Sequence, residues 1–359
     1  MTELDRKFSP LQEFHSASEH PLVRSEYGLH RTVSELLSSE SLLVVDSYNA
    51  DIVADMDGAV VLVDDCDSDT IEKIVGEYAF DRVVAVGGCT ALDVGRACAR
   101  GRWMASVPTI LSNSCISSST SVIRRKGHFA SERTTTPAVT VLSLPTLIEN
   151  HSDSSKNWSA SGLGDLFSTF AAVAELHFGE GVTDEIIEEH APICMAALTW
   201  LEGCRYPLSE ENLLILAEFL HIFSLAGHDS IPPGSEHSLY YALRERHDYP
   251  RMVATHGKLV GAGALLTLSA WSEIRRDFAF GKRVHSTFKR VGIPTNFDDL
   301  VALGVTRDDM IDGVRRSGSK LFAELFDLHG VNWLDLALGD REFDLLKSQT
   351  GGLGIRGNG

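Results

Sequence analysis

Val83-Val84-Ala85-Val86-Gly87-Gly88-Cys89-Thr90-Ala91-Leu92-Asp93 is the stretch on which the fold turns. A β-branched apolar run enters a glycine pair and leaves into a helical pattern, the signature of strand, tight turn and helix. A diphosphate seeks backbone N–H donors at a helix N-terminus with no Cβ in the way, and Gly87 and Gly88 supply that approach. Thr90 adds a hydroxyl, and Asp93 can fix or cap the first helical turn. The pattern is not G-x-G-x-x-G, and a turn that needs glycine for geometry alone would look the same, so both readings stay open here.

Outward from this turn, strand-like and helix-like runs alternate. Residues 41–46, 58–64, 81–86 and 103–107 are expected strands, 140–144 a late one, and 70–77 and 92–99 are expected helices. Strands separated by helices at this spacing predict βαβ units and a parallel sheet. Residues 122–137 form a polar hairpin region. From about Trp158 apolar residues recur at three and four, giving expected helices at 165–175, 184–201, 210–226, 237–246, 258–271 and several more to Gln349. The expected organisation is an α/β domain at 1–155 and an all-α domain at 156–359, joined through the polar residues 150–157, and a length of 359 residues suits two domains. The glycine-rich residues 351–359 are an expected disordered tail.

Composition excludes several classes of function. A net charge of −18 argues against a nucleic-acid binder or an anionic-membrane partner, because phosphate contacts need a basic face. Met1–Phe8 lacks the apolar core of a signal peptide, and the longest mostly apolar uncharged stretch, 259–271, is too short to cross a bilayer. A cytoplasmic location is expected. The six cysteines form no Cys-x-x-Cys pair and are expected to be reduced thiols.

Candidate ligands for a metal lie in three segments. Gly162-Leu163-Gly164-Asp165 and Gly234-Ser235-Glu236-His237 are each expected to open a helix, and His256-Gly257 precedes another. Two imidazoles and a carboxylate suit Zn²⁺ or Fe²⁺ and leave a position for a substrate oxygen. The spacing alone is not diagnostic in a chain with 14 histidines. His128, His151, His177, His221, His228, His247 and His285 show no constellation, with His228 nearest the site in sequence. Asp46, ending an expected strand, is placed either for an adenine ribose, which favours NAD over NADP, or for a cap. The basic run Arg124-Arg125-Lys126 is either a contact for a substrate anion or a solvated hairpin tip.

Taken in order, six segments resemble the superfamily of glycerol dehydrogenases, iron-containing alcohol dehydrogenases and dehydroquinate synthases, with the glycerol-1-phosphate dehydrogenase branch nearest. They are residues 86–93, 106–113, 161–165 and 232–237, then His256-Gly257 and Gly292-Ile293-Pro294-Thr295; the resemblance runs from Asp46 to about Ser317. It implies a Rossmann-like first domain and a helical second one. It implies a metal (zinc or iron) held by Asp165, His237 and His256, and NAD contacts at Asp46, Gly87, Gly88, Thr90, Asp93, Thr109, Ser112 and Ser118. It also suggests a homo-oligomer. The implied activity is a metal-dependent alcohol dehydrogenase, the metal polarising the reacting oxygen while hydride passes to or from the nicotinamide.

The chain departs from the branch at several points. Cys89 replaces the third glycine of a family triplet. Ser114 and Tyr241 stand where the branch places a substrate aspartate and a second histidine, and Ser143 replaces a further aspartate. Charge and acid–base capacity are thereby lost near the substrate, so glycerol 1-phosphate is not the expected substrate; a small polar, phosphorylated or phosphonate alcohol is. Tyr241, one turn beyond His237, can sit beside the substrate and relay a proton, or be a core tyrosine. Rival readings are a dehydroquinate synthase-like cyclase using NAD transiently, disfavoured by the absence of basic residues in 161–169, and a non-catalytic binding homologue.

Overall fold

The computed structural model describes residues 19–53, 55–56, 58–152, 158–176, 184–230, 234–245, 256–275, 277–330, 334 and 337–338. The expected boundary at 155/156, the tail from Gly351, and the side chains of His177, His228 and His247 lie outside them.

Six parallel strands make one sheet: β1 Leu22–Ser25, β2 Ser41–Asp46, β3 Ala59–Val63, β4 Arg82–Gly87, β5 Trp103–Pro108 and, after a separate hairpin, β8 Val139–Ser143, in the order β1-β8-β5-β4-β2-β3. The central strands β2 and β4 are apolar and buried along nearly their whole length, as expected of strands covered on both faces. Their side chains alternate. Leu42, Val44, Val83 and Ala85 face a core with Leu92 and Cys98 from helix α4 (Cys89–Ala99), whereas Leu43, Val45, Val84 and Val86 face one with Leu29 and Val33 from α1 (Leu29–Ser34). Between them lie the short α2 (Ala50–Val53) and α3 (Ser68–Glu77). The strand β1 is missing from the sequence expectations. It has four residues and sits at the sheet edge, too short for periodicity to register.

The chain passes from β2 to β3 on one side and returns to β4 on the other side of β2. Asp46 and Gly87, at the carboxyl ends of β2 and β4, therefore flank the point where strand order reverses, which is where open α/β sheets bind ligands. The hairpin pairs β6 (Thr120–Arg125) with β7 (His128–Arg133), and its two turn residues, Lys126 and Gly127, both have positive φ, the two-residue turn that matches strand twist.

After α5 (Leu144–Ser152) the described chain is helical: α6 Trp158–Leu176, α7 Asp184–Gly203, α8 Glu210–Ser230, α9 Ser235–Arg244, α10 His256–Arg275, α11 Phe278–Val291, α12 Phe297–Ala302, α13 Arg307–Arg316 and α14 Lys320–His329. One apolar core unites them and reaches Leu111, Ile116 and Leu142 of the sheet half. No helix among the described residues is long and apolar enough to cross a membrane.

Candidate active site

Helices α6 and α10 approach each other closely through glycines. A Cβ on Gly164 of α6 would lie 2.0 Å from the carbonyl oxygen of Gly257 in α10, and one on Gly257 would lie 1.8 Å from that of Ser161. With hydrogen in those places the helices touch backbone to backbone, and the Ser161 hydroxyl accepts from the Gly257 N–H at 3.0 Å. The residues beside this contact, Asp165 and His256, are thereby brought together. Asp165 does not open a helix, as the sequence suggested. It lies in the third turn of α6, because Gly162 and Gly164 serve helix approach rather than helix initiation; a Cβ on Gly162 would meet the Leu111 carbonyl oxygen at 2.3 Å. His237 does stand in the first turn of its helix, which Gly234 caps, and His256 is the first residue of α10.

His256 Nε2 is 2.9 Å and His237 Nε2 3.8 Å from Asp165 Oδ1, and one ligand atom from each of the three lies within 4.8 Å of the others. Asp165 is 1% exposed, its second oxygen accepting from the Ser114 N–H at 2.5 Å. Burial alone would raise its pKa. The His256 hydrogen bond, the charges of His256 and His237 and the Ser114 N–H outweigh burial and hold the carboxyl well below the usual range. An ionised carboxylate and two imidazoles at one buried point are the donor set a divalent transition metal takes, so the residues fit such an ion.

Glu236 was not singled out from sequence. It is fully buried, and its Oε1 lies 3.0 Å from His237 Nδ1, which turns Nε2 toward Asp165. A carboxylate behind a ligating histidine fixes its tautomer and raises its basicity. The same oxygen accepts from the Gly234 N–H, so it also closes the start of the helix. Its sequence signal is its adjacency to His237.

A cleft of about 550 Å³ joins this cluster to the sheet switch point, and Asp46, Gly88, Thr90, Asp93, Thr109, Ser112 and Ser118 all line it. Gly87 does not line it; its φ of +136° and missing Cβ serve the turn, since a Cβ there would fall 2.0 Å from Asp46 Oδ2. Asp46 accepts from the Asn49 N–H and side-chain amide and, at 2.7 Å, from the Gly88 N–H, so its carboxylate occupies one of the turn's donors. Asp93 pairs with Arg96, a fully buried arginine that also holds the Cys115 carbonyl and, at 3.3 Å, Ser121. Arg96 thus ties the helix after the glycine turn to the hairpin. Thr109 accepts from Asn49 at 3.3 Å, and the Ser118 hydroxyl from the Thr120 N–H at 2.9 Å. Cys89 lines the cleft, with its thiol 3.6 Å from the Ser112 hydroxyl.

Ser114 and Tyr241 both line the cleft as well. Burial, and then the charges of Asp93 and Asp165, push the Tyr241 phenol well above its ordinary pKa, so it is a neutral donor. Ser143 lies elsewhere: its hydroxyl donates to the Tyr27 carbonyl at the far side of the sheet. The two arginines of the basic run at the hairpin are taken up by carboxylates, Arg124 by Asp65 and Asp67 and Arg125 by Glu132. His221 is buried and His151 partly buried, and both have hydrogen-bond partners, Ser117 for His221 and Leu147 and Leu111 for His151.

Residues 39–144 match the family model described as iron-containing alcohol dehydrogenase. The glycerol-1-phosphate dehydrogenase of Thermococcus kodakarensis is 26% identical over 245 residues, which is 64% of this chain and 65% of that protein. The matched region therefore spans just under two-thirds of that relative. The corresponding enzyme of Thermofilum pendens is 26% identical over 316 residues, 79% of this chain and 84% of its own length. Among solved structures, a probable glycerol dehydrogenase from Sinorhizobium meliloti superposes with a TM-score of 0.64 at 18% identity, over 84% of this chain and 90% of the other. Sulfoacetaldehyde reductase from Bifidobacterium kashiwanohense, solved with NAD⁺, superposes with a TM-score of 0.60 at 17% identity, over 91% and 98%. The chain is thus similar in sequence to glycerol-1-phosphate dehydrogenases and has the fold of the glycerol dehydrogenases and iron-containing alcohol dehydrogenases.

Proposed function

We propose that this chain is a metal-dependent, NAD(P)-linked oxidoreductase that interconverts a small polar alcohol and its ketone or aldehyde. One observation carries the reading: the cluster of Asp165, His237 and His256 opens into the same cleft as the glycine turn at the sheet switch point. When bound, Zn²⁺ or Fe²⁺ supplies a Lewis acid for the reacting oxygen, and the nicotinamide supplies or accepts hydride.

The chain's own residues do the rest. Asp165 stays ionised because His256, His237 and the Ser114 N–H stabilise its charge. Glu236 holds His237 in one tautomer. Tyr241, in the same cleft and one turn beyond His237, donates a hydrogen bond from its neutral phenol to the substrate. Gly88, Thr90, Asp93, Thr109, Ser112 and Ser118 would line the dinucleotide, and the Asp46 charge would disfavour a 2′-phosphate, so NAD is preferred to NADP. Ser114 and Tyr241 leave the substrate end without the carboxylate and second imidazole of the glycerol-1-phosphate branch, which supports a substrate other than glycerol 1-phosphate. A cytoplasmic homo-oligomer is part of the same proposal. A sugar-phosphate cyclase is disfavoured because the described cleft lining contains one arginine and no lysine.

The test is NAD(H)-coupled turnover of polyols, hydroxyalkyl phosphates and hydroxyalkyl phosphonates by protein reconstituted with zinc or iron. Asp165→Ala and His256→Ala are expected to abolish metal retention and turnover together. Turnover that survives complete removal of metal would refute the mechanism.

A further inference from the structure

Helix α9 carries His237 in its first turn, yet its N-cap is Gly234, which has no side chain to take up the early N–H groups. Two carboxyl groups take them instead. Glu236 accepts from the Gly234 N–H at 3.0 Å, and Glu175, from a different helix, accepts from the Ser235 N–H at 2.7 Å. A Cβ on Gly234 would lie 2.5 Å from Glu236 Oε2 and 2.9 Å from Glu175 Oε2, so both groups close over the bare Cα. The Glu175 carboxyl also accepts from the Ser235 hydroxyl. With its hydrogen used there, the Ser235 hydroxyl meets Ser319 by accepting, and the Ser319 oxygen in turn accepts from the Phe322 N–H at 3.1 Å, where it caps α14. Ser235 and Ser319 are both buried. Glu175 stands in the last turn of α6, where a helix's own dipole opposes an acidic group, and the N-terminus of α9 offsets that opposition. The same helix carries Asp165, ten residues earlier in sequence. The start of α9 is therefore held to α6 at two separate places, by Ser235 at Glu175 and by His237 at Asp165.

We propose that Glu175 is a positioning residue of the proposed metal centre: through Ser235 it fixes the first turn of α9 against α6 and so brings His237 to Asp165 and His256. The inference rests on the proposed dehydrogenase reading and adds to it a residue that lies outside the cleft lining. Helix α6 then sets the geometry of all three ligands. Asp165 belongs to it, His256 reaches it through the glycine crossing, and His237 reaches it through Glu175. The two carboxyl groups at Gly234 have different tasks. Glu236 bonds the imidazole of His237 and holds the ring, whereas Glu175 bonds the backbone two residues earlier and holds the helix end on which the ring is mounted. Outer groups of this kind act on a metal only by where they put its ligands.

The experiment is a double-mutant cycle on zinc affinity, read on the full chain by competition with a chromophoric chelator, with NAD⁺ affinity measured on the same proteins by calorimetry. Glu175→Ala is expected to lower zinc affinity about 10-fold or more, the range for outer-shell partners, and to leave NAD⁺ affinity unchanged. In a His237→Ala background the same substitution is expected to cost little further, because the ligand it positions is gone. Glu175→Gln keeps an acceptor for the Ser235 N–H and is expected to retain more zinc affinity than Glu175→Ala. It serves as the reporter should the alanine variant fold poorly, and its smaller loss should likewise vanish in the His237→Ala background. Undiminished zinc affinity in Glu175→Ala overturns the proposal. So does an equal loss in both backgrounds, or a fall in NAD⁺ affinity as large as the fall in zinc affinity, because Glu175 would then support the fold at large. Failure of the dehydrogenase reading is distinguishable. Wild type that takes up no zinc overturns that reading and this inference with it, whereas wild type that takes up zinc no more tightly than Glu175→Ala overturns this inference alone.

Discussion

Replacing Gly164 with alanine tests whether the helix crossing sets the geometry of the proposed metal ligands. The added Cβ would start 2.0 Å from the Gly257 carbonyl oxygen. An ordinary C···O contact is about 3.3 Å, so α6 and α10 must part by roughly 1.3 Å. Asp165 and His256 lie next to that contact on the two helices, and their hydrogen bond of 2.9 Å must lengthen with it. Metal–ligand bonds tolerate only about ±0.2 Å, so a displacement of this size removes one ligand rather than weakening it slightly. The expected loss of zinc affinity is on the order of 100-fold, at the upper end of what outer-shell disruption causes. Overpacking at the crossing costs a further ~1–3 kcal/mol of stability, visible as a melting temperature lower by several degrees. Zinc affinity is read by competition with a chromophoric chelator and melting by circular dichroism. Gly203→Ala is the control, because a Cβ there meets nothing within 4 Å. If Gly164→Ala takes up zinc as tightly as wild type and melts at the same temperature, the glycine crossing does not position the ligands.

Further outcomes follow from the same geometry. Glu236→Gln keeps the volume but weakens the hold on His237 Nδ1, and zinc affinity should fall about 10-fold or more while NAD⁺ affinity is unchanged; an unaffected zinc affinity would remove Glu236 from the site. His151 has its pKa lowered by burial, so its folded-state value lies below its unfolded value and the neutral form is favoured by folding. The stability this represents is present above the unfolded value, about 6.5, and is lost as pH falls through it toward the folded value. Wild type should therefore lose more melting temperature between pH 7.5 and 5.5 than His151→Gln does, and equal losses would contradict the reading. Cys89 lines the cleft beside Ser112 at the glycine turn, so saturating NAD⁺ should slow its alkylation by iodoacetamide, followed by mass spectrometry. Labelling at the same rate with and without NAD⁺ would place the dinucleotide elsewhere.

The parallel sheet was legible because buried strands read as continuous apolar runs, and the residues 83–86 are such a run entering glycine. The edge strand at Leu22–Ser25 was not, since its four residues alternate no pattern and half of them face solvent. The three proposed metal ligands were named from segments rich in glycine, but the reason for the glycines was not visible. Gly162 and Gly164 read as a helix start, whereas their role is a contact with residues about 50 and 93 positions away, and sequence periodicity carries no information about such contacts. Arg96, Glu236 and Arg244 were passed over for a related reason. Each sits in an ordinary helical pattern, and only the fold shows that one is buried against Asp93, one backs His237 and one faces the cleft. Asp46 and Gly87 are coupled in a way that the sequence did not show. Both were read as cofactor contacts, and the structure places the Asp46 carboxylate in the space that the missing Cβ of Gly87 leaves.

The central claim is that one divalent cation is held by Asp165, His237 and His256 in the cleft that also takes the dinucleotide. A crystal of the zinc- and NAD⁺-loaded protein, with diffraction recorded on both sides of the zinc absorption edge, tests it most directly. The account predicts a single strong anomalous peak with Asp165 oxygen and both Nε2 atoms at about 2.0–2.2 Å, facing the nicotinamide. A peak bound by other residues, or no peak in zinc-replete protein, would contradict it.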